Sequence, residues 1–265
     1  ARVDERAERD LPRLLVDAAR EVRRRAPRAG EPPVPGVGGR DRSAPRGVRA
    51  LDPAAQTPAR MQRRLTASGM RPISLAVDVT NYVMLDLGQP LHAYDLEKVA
   101  APVVVRRAAP GERLTTLDDV DRALDPEDLL ITDSPDGARG ARVLGLAGVM
   151  GGASSEVGPE TTAVLVEAAH FDPVTVARTS RRHKLSSEAA KRFERGVDPL
   201  LPAVAAQRVV DLLVELGGGT ADPAVSDLDR VTAPAPIHLP VGEAERLVGV
   251  PYTLEQVVGT LGAIG

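Results

Sequence analysis

Six short β-rich runs lie between residues 90 and 169: PLHAY, PVVVRRA, RLTTLD, LLITD, RVLGLAGV and TTAVLVEAA. They constrain this chain more than any other feature. Polar, Gly, Pro or Asp turns separate them, and short runs punctuated in this way read as strands of a sheet or sandwich. Helical signals flank the region. TPARMQRRLTASGM opens with Thr57-Pro58, sets Met61 and Leu65 four apart and ends at Gly69, a helix with a start and a stop. ISLAVDVTNYVMLDLG is apolar at Val79, Tyr82, Val83 and Leu87 before Gly88. That spacing predicts a helix over 77–87, although the β-branched content leaves a strand open. After Asp172-Pro173, VTVARTSRR restarts a helix, Ser186 or Ser187 can cap EAAKRFER, and LLPAVAAQRVVDLLVEL runs periodically into Gly217. The expected fold is α+β, a mixed sheet or sandwich body with helices near 57–69, 77–87, 172–196 and 200–216.

Outside this body the pattern weakens. Residues 10–25 set Leu11, Leu14, Leu15, Ala18 and Val22 on one stripe, which predicts an amphipathic helix. Residues 26–50 lose all periodicity and combine Pro, Gly and Arg, so they are expected to pack poorly. Charge is uneven: residues 1–64 carry +7 and the other 201 carry −10. An arginine-rich arm on an acidic body is a nucleic-acid footprint. The favoured reading is plainer: with only three lysines in the chain, Arg is its general base. Residues 217–236 read as a linker, followed by a strand-like IHLPV and a helix-like TLEQVVGTLG. About 29 residues are too few for a domain, so 237–265 read as the start of a second module.

Several chemistries are excluded. No cysteine is present, which removes disulfides, thiol catalysis and cysteine metal sites. Aromatic residues make up 2% of the chain, too few for a row of base-stacking platforms. No nucleophile elbow, Walker loop, dinucleotide fingerprint or HExxH occurs. His92, His170, His183 and His238 are too dispersed to read as a metal site. No apolar stretch is long enough to span a membrane and no signal peptide is visible, so a cytoplasmic protein with no membrane partner is expected.

Local oddities mark the candidate site. Asp78, Thr80 and Asn81 interrupt an apolar run, and His92 follows Gln89-Pro90. LAGVMGG sets Gly148, Gly151 and Gly152 after a strand, where the backbone either makes a tight turn or approaches a ligand closely. Glu167 sits inside the apolar run AVLVEAAHF. Simple alternation turns it to solvent; burial demands a partner.

Four long segments, in order, carry a resemblance: RPISLAVDVTNYVMLDLGQPLHAYDLEKV, LAGVMGGASSEV, VLVEAAHFDP and SSEAAKRFERGVDP. Over about residues 51–216 the chain resembles the B3/B4 domain of the bacterial phenylalanyl-tRNA synthetase beta subunit, and 237–265 resemble the beginning of its B5 module. Residues 1–50 resemble the family only in a faint AREV, and Arg60 stands where an aromatic is usual. A frame slip in the coding sequence or ordinary divergence would explain both.

The resemblance implies an editing domain that hydrolyses tyrosine wrongly esterified to tRNA(Phe). By matching positions, Thr80, Asn81 and His92 line the ester end. Gly148 and Gly151 admit the aromatic ring, Glu167 receives the tyrosine hydroxyl, and Ser187 and Ala189 form the opposite wall. Ser187 stands where the family often has Thr. No partnered base is evident, so a positioned water with the tRNA's own terminal hydroxyl is favoured over covalent catalysis, with His92 as the less favoured alternative base. His170 and His183 read as structural or surface residues, His183 beside Arg181 and Arg182 being placed to touch RNA phosphate. The implied partners are the tRNA(Phe) 3′ end and an alpha subunit in a tetramer of two alpha and two beta subunits. ATP and Mg2+ belong to the whole enzyme, with no cofactor in this segment. The rival expectation is a non-catalytic RNA-binding or assembly piece that keeps the fold.

Overall fold

A computed structural model describes residues 40–231 and 236–264, so the helix expected over 10–25 and most of 26–50 lie outside the described residues. The chain divides into two compact units, one ending at residue 231 and the other beginning at 232.

The first unit opens with β1 (Arg40–Ser43) and β2 (Arg46–Arg49), then α1 (Ala59–Ala67), α2 (Leu75–Leu87) and β3 (Leu91–Asp95). A run of strands follows: β4 (Val104–Arg107), β5 (Arg113–Thr115), β6 (Asp121–Ala123), β7 (Leu129–Asp133), β8 (Arg142–Leu146), β9 (Met150–Gly151) and β10 (Val164–Phe171). It closes with α3 (Pro173–His183), α4 (Glu188–Phe193), α5 (Leu201–Gly217), β11 (Thr220–Val225) and β12 (Leu228–Asp229). The fold is the expected α+β mixture, and every strand pairing among the described residues is antiparallel.

Strand β10 is the spine. One edge carries β3, in register from Val164 opposite Asp95 to Ala168 opposite Leu91. Its other edge carries β2 beside Val164–Val166 and β1 beside Ala169–Phe171, two halves of one interrupted strand. A second sheet runs β4-β7-β8-β9, and β5 and β6 form a hairpin. Two apolar clusters result. Leu65, Val79, Val83, Val209 and Leu213 of the helices pack with Val48, Val164 and Val166 of the first sheet. Leu129, Leu144 and Leu146 of the second sheet pack with Phe171, Val176 and Phe193.

Helix α2 resolves the ambiguity at 77–87 in favour of helix, with Gly88 at φ 76 as its left-handed cap, a conformation glycine adopts without strain. Asp78, an oddity in the sequence, is a buried tie. It accepts from the Thr57 hydroxyl at 2.6 Å and the Ile73 N–H at 2.8 Å, joining the start of α1 to α2.

Three expectations need correction. Residues 40–49, expected to pack poorly, are strands of the central sheet, with Val48 fully buried and Arg42 only 5% exposed. Arg42 pairs with Asp227 at 2.8 Å, and Arg46 donates to Gln207 at 2.8 Å. The partners lie 185 and 161 residues away, so no local pattern could announce them. The body therefore begins by residue 40, not 51. The supposed linker likewise contains β11 and β12, which extend the first sheet. In the second unit IHLPV forms no strand. That unit holds α6 (Glu243–Val248) and α7 (Leu254–Ile264), with no described residue buried.

Candidate functional site

Alternation along two paired strands builds the site. In β3, His92 and Tyr94 share a face because side chains two apart point the same way. In β10 the same rule separates Val164 and Val166, which enter the helical core, from Leu165, Glu167 and Phe171 on the opposite face. Register sets Glu167 directly across from His92 and Leu165 across from Tyr94. Cross-strand neighbours on one face touch. The Tyr94 hydroxyl donates to Glu167 Oε2, and the Tyr94 ring meets the His92 ring edge-on at 4.4 Å between centroids. Tyr94 is 2% exposed. Burial, with the carboxylate beside it, raises its phenol well above the ordinary value, so it remains a donor.

The glycine segment after β8 closes on this pair. Gly148 has φ 70, and a Cβ there would lie 3.0 Å from Phe193 and Val176. At Gly151 a Cβ would fall 2.6 Å from His92 Cε1 and 2.7 Å from Nε2. The space left by that missing side chain is filled by the imidazole. His92 Nε2 is buried with no hydrogen-bond partner among the described residues, and burial lowers the ring to about 4. His92 is therefore neutral at physiological pH, with one ring nitrogen an acceptor.

Helix α4 supplies the remaining wall through Ala189 and Phe193. Its position is set by Ser187, whose hydroxyl accepts from Ala190 N at 3.0 Å and donates to Val149 O at 2.7 Å. One side chain thus caps the helix and fastens it to the glycine segment. Helix α3 is anchored by buried Asp128, which pairs with Arg182 and with His183 Nε2 at 2.6 Å.

His92, Gly148, Gly151, Glu167 and Ala189 line one cavity of about 80 Å³. An apolar cavity that holds benzene measures about 150 Å³, so an aromatic guest must widen this one. Tyr94, Ile131, Glu167 and Phe171 also line a neighbouring cleft of about 720 Å³. Widening thus has somewhere to go.

Three expected site residues are not in the wall. The Thr80 hydroxyl is spent on Val77 O at 2.8 Å within α2, Asn81 is half-buried on the same helix outside the lining, and Ser187 acts behind the wall as described. His183 is a buried structural partner, not a surface contact for RNA. Tyr94 and Phe193 were missed as site residues. Tyr94 had a visible signal, since it follows His92 by two in a strand.

Among the described residues, no group of three or more His, Cys, Asp or Glu converges as a metal site, and no helix is long and apolar enough to cross a membrane.

Known proteins resemble the chain closely in sequence. The phenylalanine-tRNA ligase beta subunit of Streptomyces avermitilis is 56% identical over 86% of this chain and 27% of its own length. Those of Bifidobacterium longum and Leifsonia xyli are 52% and 57% identical over 88% and 82% of this chain. The chain spans about a quarter of the length of these relatives. A solved N-terminal fragment of the phenylalanyl-tRNA synthetase beta subunit from Pyrococcus horikoshii aligns with TM-score 0.41 and 12% identity, over 81% of this chain and 58% of that one. A family model described as the B3/4 domain matches residues 40–218, the same residues that build β1 through α5 around the cavity, and the chain belongs to that family.

Proposed function

We propose that this chain is the editing part of a phenylalanine-tRNA ligase beta subunit and hydrolyses the ester of tyrosine mischarged onto tRNA(Phe). The observation that carries this reading is a carboxylate, Glu167, lining a cavity with His92, Gly148, Gly151 and Ala189 and already accepting a phenolic O–H, that of Tyr94. A substrate phenol would bring a second donor of the same kind, and a carboxylate has about four acceptor positions.

The chemistry has a clear purpose. A hydrophobic pocket discriminates against an added hydroxyl by only about 100-fold, so fidelity needs a second site that selects for that hydroxyl. Phenylalanine in this cavity would place a bare ring edge against a carboxylate, at a cost of about 1–3 kcal/mol. At the ester end, water attacks the carbonyl carbon, the bond to the ribose oxygen breaks, and the proton passes to that oxygen. His92 can orient the water by accepting from it. A group with a conjugate acid near 4 is a weak base at neutral pH, so the neighbouring ribose hydroxyl with a positioned water carries the step.

The alpha subunit, the tetramer, and the ATP and Mg2+ of aminoacylation belong in this reading to the whole enzyme. No step here is routed through them. The test is to incubate the chain with Tyr-tRNA(Phe) and Phe-tRNA(Phe) and follow deacylation. Faster release of tyrosine is expected; equal release at the buffer rate overturns the reading in favour of a non-catalytic RNA-binding or assembly role.

A further inference from the structure

Seven basic residues and two acidic ones fall within residues 173–195, the stretch that builds α3 and α4. Residues 40–231 as a whole carry 24 basic and 27 acidic residues. Three of the seven bases are engaged: Arg182 with Asp128 and Glu127, and Lys191 and Arg192 with Glu188. Arg178, Arg181, Lys184 and Arg195 are exposed, and their side chains form no ion pair or hydrogen bond among the described residues. Elsewhere on the body most arginines are paired, as at Arg42, Arg106, Arg113, Arg122 and Arg142. Interaction with the helix dipole accounts for cations at the end of α3. It does not account for Arg178, which lies a turn earlier, or for Arg195, which lies beyond the end of α4.

Helix α3, which carries Arg178 and Arg181 and is capped by Lys184, packs against α4; α4 turns Ala189 and Phe193 to the cavity, and Arg195 lies two residues beyond its end. We propose that Arg178, Arg181, Lys184 and Arg195 form the surface on which an RNA phosphate backbone docks while its esterified end reaches the cavity. The proposal rests on the editing reading above. A cluster of unpaired cations attracts a polyanion, and three of the four cations are arginines, whose planar fork suits phosphate oxygens. Because α3 packs against α4 and α4 is fastened to the glycine segment through Ser187 and Val149, a strand held on the ridge is held near His92 and Glu167.

The experiment measures binding of uncharged tRNA(Phe) to the whole chain as a function of salt. The probes are wild type, a ridge variant (Arg178→Gln, Arg181→Gln, Lys184→Asn, Arg195→Gln) and a control variant on α1 and the segment after it (Arg63→Gln, Arg71→Gln). Each lost phosphate contact lowers the slope of log affinity against log salt by about 0.7–0.9. The ridge variant is expected to lose about 3 in slope and at least about tenfold in affinity at low salt, while the control keeps wild-type behaviour. An unchanged slope in the ridge variant, or an equal loss in the control, overturns the docking surface. Hydrolysis of a tyrosyl-adenosine ester, too short to reach the ridge, is run in parallel and is expected to be equal in wild type and ridge variant. A wild-type chain that hydrolyses neither this ester nor Tyr-tRNA(Phe) overturns the editing reading, and the salt slope still decides the surface.

Discussion

The two faces of strand β10 differ as sharply as any two regions of this molecule. On one face Val164 and Val166, both fully buried, enter an aliphatic cluster with α1, α2 and α5. On the other, one residue away, Glu167 stands among aromatic and glycine neighbours at a cavity. Burial on the first face contributes stability through transfer and packing alone. On the second, part of that stabilisation is given up. Glycines replace side chains, a carboxylate is held by Tyr94, and an imidazole nitrogen is buried without a partner. The difference teaches where to look for function: on the face where packing is incomplete and polar atoms are kept in place.

Gly151→Trp tests the second face most severely. Even a Cβ there overlaps His92, so the variant should displace the imidazole and fill the cavity. Tyr-tRNA(Phe) deacylation should fall by about 100-fold or more, the scale of a misplaced group at a reacting centre, while circular dichroism still reports a folded sheet. Undiminished deacylation would remove the cavity from the reaction.

The pH dependence of stability separates the faces next. His92 has a folded-state value of about 4 against 6.5 when unfolded. A lowered value means the unfolded chain binds the proton more readily, so this contribution is complete above pH 6.5 and is lost as pH falls towards 4. The full difference is about 3 kcal/mol. Urea unfolding at pH 7 and pH 4.5 should show that loss in wild type and a smaller one in His92→Asn. Parallel losses would mean that the imidazole titrates freely.

Glu167→Ala and Val166→Ala contrast neighbouring positions directly. The first should slow Tyr-tRNA(Phe) deacylation by about 1.5–3 kcal/mol, or 10- to 150-fold. The second should cost about 2 kcal/mol of stability for two buried methyl groups and their cavity, leaving the preference for tyrosine over phenylalanine unchanged. A shifted preference in Val166→Ala would break the division between faces.

Tyr94→Phe is the mildest change. It removes the hydroxyl that donates to Glu167 and keeps the ring against His92. Without that donor the carboxylate has one hydrogen bond fewer and a substrate phenol restores it, so the preference for the tyrosyl ester should strengthen several-fold, roughly 1 kcal/mol. Competition assays with the two charged tRNAs would read it, and an unaltered ratio would leave Tyr94 as packing alone.

Much of the body was legible from residues. The helices over 59–67, 75–87 and 201–217 follow from apolar spacing and their glycine stops, and the strands between 90 and 171 follow from short β-rich runs between turns. His92, Gly148, Gly151, Glu167 and Ala189 were named as site residues through family resemblance, and the structure brings them to one cavity. The same reasoning placed Thr80, Asn81 and Ser187 there, where the lining does not include them. A shared motif says that a residue belongs near the site; it does not say whether its hydroxyl faces a cavity or is spent on a helix carbonyl, as at Thr80, or on a cap, as at Ser187.

Local pattern by itself determined the type of most elements, because periodicity, caps and turn residues act over a few positions. Tertiary structure decided what depends on distant partners. It drew residues 40–49 into the sheet through β10, Asp227 and Gln207. It chose which way Glu167 faces, since alternation fixes only that it opposes its neighbours and the strand register settles which side is covered. It also set Tyr94 on that carboxylate, a contact across 73 residues of chain that exists only because two antiparallel strands meet with His92 opposite Glu167.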